Sequence, residues 1–399
     1  MTVTETGILE QVALGYSPMI DRNRNVVATR LTVFALRPDA PLDAGQLLQM
    51  VGGVWPEGGG KVALNLLSES LLRDLLNAKP SANVMIEVPS FMASDAAHVA
   101  ALQTLRANGN ALLLRGRPAS ELPADVLPCF TQSIIDIEDD RRAAGVAPSG
   151  AAARTIPHIQ SGVRTLADMD ASFQRGAVAV LGWPMDDAAT QPGRKKTQHD
   201  LQVIVELMQR LDAEEPVEKL DNTLRRDPTL AFKLMRYINS PAFGLRVEIN
   251  SFRHAILLLG YKKLKRWLAL LLATAGKDVN LRPVMYAAVR RGLLMEELAR
   301  SSGDEEMRNE LFICGVFSLL DKMMGEPFAD LMKTIPVPDR VRDALAEGSG
   351  PYLPYVNLML AVESESLFDI RESAEVLLMG AAEINRALLR ALASASQIE

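Results

Sequence analysis

KVALNLLSESLLRDLLNAKPSANVMIEV, residues 61–88, reads as strand, helix, strand, and that reading decides the fold. The runs KVALNL at 61–66 and NVMIEV at 83–88 are short and rich in Val, Leu and Ile, as strands buried on both faces should be. Between them, residues 69–77 form an amphipathic, helix-like stretch. A strand, a crossover helix and a second strand make a parallel unit. The same alternation extends both ways. Upstream lie QVALGY at 11–16 and NVVATRLTVFAL at 25–36, and downstream NALLLR at 110–115, SIIDI at 133–137, RTIPHI at 154–159 and AVAVLG at 177–182. Helix-like stretches at 42–51, 94–107 and 166–175 fall between these runs. Repeated β then α implies a parallel sheet, and eight strand candidates imply a TIM-like (β/α)8 barrel. Such barrels typically need roughly 250 residues. This one must therefore be small or incomplete, with some outer helices short or missing.

Beyond the last strand the pattern changes. DDAATQPGRKKTQ, from Asp186, is polar and without apolar period, so residues 186–198 read as a linker. From there the chain reads as helices at 199–211, 217–226, 229–239, 253–259, 262–273, 284–301, 306–324, 340–347 and 371–394. Pro228, Pro241, Pro283, Pro327 and the PVP at 336–338 mark helix boundaries. The expected organisation is an α/β barrel domain over 1–185, the linker, and an all-α domain over 199–399.

A chain of 399 residues has room for two domains of roughly 100–200 residues each. Its 48% hydrophobic and 23% charged residues are those of an ordinary globular protein. A net charge of -6 gives no general attraction to nucleic acid or to an anionic membrane. Cys129 and Cys314 are the only cysteines, so no disulfide framework supports the fold, which fits a reducing cytoplasm. The opening MTVTETGILEQVALG does not read as a signal peptide, and the most apolar run, 267–273, is too short to span a bilayer. A cytoplasmic protein without a membrane segment is expected.

The motifs of the first half resemble the EAL family, barrel phosphodiesterases that cleave cyclic di-GMP with two divalent metals. YSPMID at 16–21 is similar to that family's Y-x-P-I-x-D opening. Asn65 in VALNLL and Glu87 in VMIEV match a metal-binding Asn and a metal-binding Glu, and Gly182, Trp183 and Pro184 are similar to the late Q-G-Y…P segment. Elsewhere the catalytic pattern departs. The signature Glu falls at Arg30, the D-D-F-G motif at Arg115, Gly116, Arg117 and Pro118, and the E-G-V-E-T motif at Ser161, Gly162, Val163, Arg164 and Thr165. The Lys before the sixth-strand Asp falls near Ser133 or Ile134, Asp136 remains, and the Gln of Q-G-Y falls at Leu181.

Hard divalent cations need several oxygen ligands, and two-metal hydrolysis needs carboxylates for both ions. Permanently charged arginines at positions 30, 115 and 164 would repel the metals. The expectation is a degenerate site with no catalytic residues, no metal and no cofactor. Its vestigial positions are Arg30, Asn65, Glu87, Arg115, Asp136 and Arg164. Two uses of the arginines stay open: an anion pocket for a nucleotide phosphate, or pairing with leftover carboxylates such as Glu87 and Asp136, closing the site.

The second half resembles HDOD domains, helical relatives of the HD phosphohydrolases. The motifs are D-P-x-L beginning at Asp227 and Pro228, N-S-P-A-F-G beginning at Asn239 and Ser240, and A-I-x-x-L-G ending at Gly260. These are read as structural. ICGVFSLLDKMMG, from Ile313, is similar to the helix that carries H-D in active relatives, with Ser318, Leu319 and Asp321 near that place. The literal pair His199–Asp200 sits at the linker's edge and reads as a helix start. With only His254 besides, the second domain lacks the inventory for a metal site.

Tyr261 to Trp267, YKKLKRW, is a local basic cluster with aromatics at both ends. A solvated helix face with Tyr261, Leu264 and Trp267 inward is preferred to a nucleic-acid patch. The cysteines read as buried structural thiols. The functional expectation is a non-enzymatic bacterial signalling protein that docks other signalling proteins, with self-association through either domain compatible with it. The resemblance links it to cyclic di-GMP-controlled motility or biofilm formation. The alternative is a cyclic di-GMP receptor that binds without cleaving, and a phosphodiesterase ranks behind both.

Overall fold

The computed structural model describes residues 6–37, 41–118, 122–140, 156–188, 199–225, 252–274, 278–335 and 337–396. They form two compact units.

The first unit is a closed barrel of eight strands in chain order: β1 (Val12–Asp21), β2 (Val26–Ala35), β3 (Val62–Leu66), β4 (Val84–Pro89), β5 (Ala111–Arg115), β6 (Phe130–Asp136), β7 (His158–Ser161) and β8 (Ala179–Leu181). β2 through β8 are parallel, whereas β1 pairs antiparallel with both β2 and β8. The sheet is therefore not parallel at β1, against the parallel sheet expected from the sequence. Residues 22–25 are too few for a crossover and make a hairpin, closed by the Asp21 carboxylate, which accepts from the backbone N–H of Asn23 and Asn25 at 2.8 Å each.

Small and large side chains fill the barrel interior. Ala28, Ala63 and Ala179 sit among Met19, Met85, Leu113, Ile134, Ile159 and Leu181. The helices Ala44–Val54, Glu69–Leu76, Val99–Ala107 and Leu166–Gln174 follow β2, β3, β4 and β7. Asp43, Ser68 and Thr165 cap three of them by accepting from first-turn N–H groups. Among the described residues no α-helix separates β5 from β6 or β6 from β7.

Asp186 and Asp187, assigned to the linker from sequence, belong to the barrel. Asp187 accepts from the N–H groups of Leu166 and Ala167 at 2.7 and 3.2 Å, meeting two donors that open a helix. Most of the remaining linker lies outside the described residues. The larger correction concerns the C-terminal part. The barrel unit comprises residues 1–187 and 360–386, and the second unit 188–359 and 387–399. The assignment of all of 199–399 to one helical domain thus fails for 360–386. Its helix Leu367–Leu377 belongs to the barrel unit.

The regular elements among the described residues of the second unit are all helices. Helices Arg282–Leu298 and Glu305–Phe317 cross so closely that a Cβ on Gly315 would lie 2.4 Å from the Arg291 carbonyl oxygen. Phe252–Thr274 is interrupted at Gly260, whose φ of 71° is open to glycine at little cost. Asp227, Pro228, Asn239 and Ser240 lie outside the described residues, as does the expected helix 229–239. A helix at Leu353–Glu363 was not anticipated. Its buried Val356, Leu358, Met359, Ala361 and Val362 fall all round the axis, so no single apolar stripe announces it. No described helix is long and apolar enough to cross a membrane.

Candidate functional site at the barrel mouth

In a barrel of parallel strands the functional face lies at the strands' C-terminal ends. Alternation along each strand decides what points inward there. One step beyond the apolar interior layer, the inward positions become Arg30 on β2, Asn65 on β3, Glu87 on β4, Arg115 on β5 and Asp136 on β6. The barrel thus changes from a dry core to a charged mouth within one pleat.

The centre of the mouth is a fork. The Arg30 guanidinium donates from Nε to Glu87 Oε1 at 2.7 Å and from Nη2 to Oε2 at 2.8 Å, the bidentate geometry that suits arginine and carboxylate. Its third nitrogen, Nη1, donates to Oε2 of Glu365 at 3.0 Å. The side chain of Glu87 is fully buried and that of Arg30 only 13% exposed. Burial pulls the Arg30 pKa down, but the two carboxylates more than offset it, so the arginine is held charged more firmly than usual. Glu365 also accepts from Ser17 Oγ at 3.0 Å. Desolvation pushes its carboxyl up from the ordinary range, while Arg30 opposes that shift.

The other sequence-derived positions divide. Arg115 faces the same cluster without a hydrogen-bond partner among the described residues. Its pKa is lowered chiefly by burial, with Glu87 raising it and Arg30 lowering it further. Asn65 donates to Thr32 Oγ1 at 3.1 Å, and its buried Oδ1 meets no hydrogen-bond partner among the described residues. Among the described residues Asp136 bonds to no arginine. It accepts from Ser161 Oγ at 3.1 Å and from the Glu138 N–H at 3.0 Å. Arg164 leaves the site altogether. Gly162, at φ 77°, turns the chain after β7, and Arg164 stands 77% exposed with its Nε 3.0 Å from Asp186. The cluster of three mouth arginines expected from the sequence is therefore two.

Glu365 and Glu363 were missed by the sequence reading. They sit in AVESESLF, an acidic turn with no local mark of burial. The buried Tyr16 hydroxyl donates to Glu363 Oε1 at 3.4 Å, the Trp183 indole donates to the Glu363 carbonyl at 3.1 Å, and the two rings meet edge to face at 5.4 Å.

The mouth does not suit a pair of divalent cations. Both oxygens of Glu87 are occupied by Arg30, and a fixed positive charge stands where a second carboxylate would be needed. Among the described residues no group of three or more His, Cys, Asp or Glu is placed to hold a metal ion.

In the second unit the basic run 262–266 is largely paired: Lys262 with Glu306 at 3.3 Å, Lys265 with Asp212, and Arg266 with Glu296 at 2.6 Å. Leu264 is buried, as its inward assignment required. Cys129 and Cys314 are buried free thiols, and burial pushes Cys314 up to about 12, which makes it unreactive.

Residues 200–328 match the HDOD domain family. YuxH of Bacillus subtilis is 27% identical over 168 residues, 40% of this chain and 40% of that protein. The cyclic di-GMP phosphodiesterase CdgJ of Vibrio cholerae is 27% identical over 133 residues, 33% of this chain and 31% of CdgJ. The matches thus span two fifths or less of either relative. The solved EAL domain of FimX from Pseudomonas aeruginosa, bound to c-di-GMP, aligns with a TM-score of 0.32 and 14% identity over 46% of this chain and 93% of that one.

Proposed function

For a chain in which an HDOD domain follows an EAL-like barrel, we propose a non-catalytic role in cyclic di-GMP signalling, exercised by docking other signalling proteins. The observation that carries this reading is the Arg30–Glu87 fork, with donor distances of 2.7 and 2.8 Å. It neutralises the Glu87 carboxylate and keeps a fixed positive charge beside it, which supports a mouth without metal chemistry. A buried charge stripped of its partner costs several kcal/mol, roughly 3–5, so Glu87 is not freed cheaply for another cation.

The full chain is to be incubated with cyclic di-GMP in Mn²⁺ and, separately, in Mg²⁺, with the linear product measured. No turnover is expected. Turnover that Glu87→Ala abolishes would overturn the proposal.

One observation favours a second reading, a receptor that binds the nucleotide without cleaving it. Arg115 points into the mouth unpaired among the described residues, and guanidinium suits phosphate. Calorimetric titration with cyclic di-GMP separates the readings. Saturable micromolar binding that Arg115→Ala removes would make the barrel a receptor, and no heat would leave partner docking.

A further inference from the structure

We propose that residues 360–386 are an internal strap over the barrel mouth, latched by the Glu365 carboxylate on Arg30, and that the mouth opens only when this latch lets go.

The strap is fastened at two places. At the mouth, Glu365 binds Arg30 and Ser17, and Glu363 is held by Tyr16 and Trp183. At the rim, Asn385 makes three buried contacts with the start of the barrel. Its Oδ1 accepts from the Leu14 N–H at 3.1 Å, and its Nδ2 donates to the carbonyls of Leu9 and Val12 at 2.9 and 2.8 Å. Arg371 adds a bond to the Leu36 carbonyl at 2.6 Å.

The barrel is shaped to receive the strap. Gly15 faces the turn, and a Cβ there would lie 3.0 Å from the Val362 carbonyl and 3.1 Å from Glu365 Cα. The strap is bent to fit in return, with Glu365 at φ 54°, a left-handed conformation that a glutamate adopts only when its surroundings impose it.

Between the fastenings little apolar burial holds the strap down. In the helix Leu367–Leu377 only Ile370 is buried, while Phe368, Val376 and the following Leu378 are 75%, 64% and 92% exposed. An open groove of about 730 Å³ lies beside it, lined by Ala13, Leu36, Ile370, Ala374, Leu378 and Met379 among others. An element held by polar contacts over thin packing opens at lower free energy than the strands beneath it. Both ends of the strap continue covalently into the second unit, after Met359 and from Ala387. A change there can reach the mouth along the chain itself.

The test is hydrogen exchange by mass spectrometry on the full-length protein and two variants. Glu365→Ala removes the latch, and Gly15→Ala crowds the turn at Val362 and Glu365 while leaving every mouth charge in the sequence. Peptides from 360–379 are expected to exchange at least about tenfold faster in both variants, with peptides from β3, β4 and β5 unchanged. Unchanged exchange of 360–379 in either variant would overturn the proposal. So would acceleration of the strap only together with the barrel strands, because the strap would then be part of the barrel's core. No nucleotide or metal enters the experiment, so its failure leaves the non-catalytic reading standing, and turnover in the assay above would leave the strap standing.

Discussion

Arg30 and Arg164 both stand where the resemblance places a carboxylate, yet they meet opposite fates. Arg30 rises from a mid-barrel inward position and is enclosed by two carboxylates. Arg164 follows the left-handed Gly162, swings outward and pairs with Asp186 in solvent. An arginine is buried between carboxylates in one place and stands on the surface in the other. What a charge reversal does depends on whether the backbone still aims the side chain inward.

The comparison sets the order of expected effects. Arg30→Ala should be the most damaging change, because it leaves Glu87 buried without its bidentate partner. The expected cost is about 3–5 kcal/mol, read from denaturant unfolding. A loss below about 1 kcal/mol would mean that water reaches Glu87 and that the mouth is not closed.

Next comes the pH dependence of Glu365. Its folded pKa is raised by burial, so the folded state binds that proton more tightly than the unfolded chain. Its contribution is therefore most favourable at pH values below the ordinary carboxylate range and declines as pH rises through the raised value. Glu365→Gln cannot ionise and should lack this decline. Unfolding curves of the wild type and Glu365→Gln, measured upward from about pH 4, should diverge in favour of the variant as pH rises. Parallel curves would mean that Glu365 is better solvated than its surroundings indicate. Arg164→Ala should change stability least, within about 0.5 kcal/mol, as exposed pairs do.

The barrel was legible because its strands are short, apolar and separated by amphipathic stretches. The order of all eight follows the sequence. The reversal of β1 rests on the four-residue turn 22–25, which the apolar runs at 11–16 and 25–36 do not mark. At the mouth, Arg30 and Glu87 could be brought together on paper because both sit on strands whose register the pattern fixes. Arg164 could not be placed, since it lies beyond a strand end where a single glycine redirects the chain. The strap was illegible for another reason. Its contacts join residues more than three hundred positions apart, such as Arg30 with Glu365 and Leu14 with Asn385, and no local period marks such a pairing.

That separation has a consequence for how the protein is made. The ribosome delivers all eight strands before it reaches residues 188–359 of the second unit, and only afterwards the strap. At roughly 5–20 residues per second, that interval lasts on the order of ten to thirty seconds. Throughout it, the start of the barrel offers the Leu14 N–H and the Leu9 and Val12 carbonyls without the asparagine that will bind them. Those groups of the nascent barrel stay unmet until Asn385 has been synthesised.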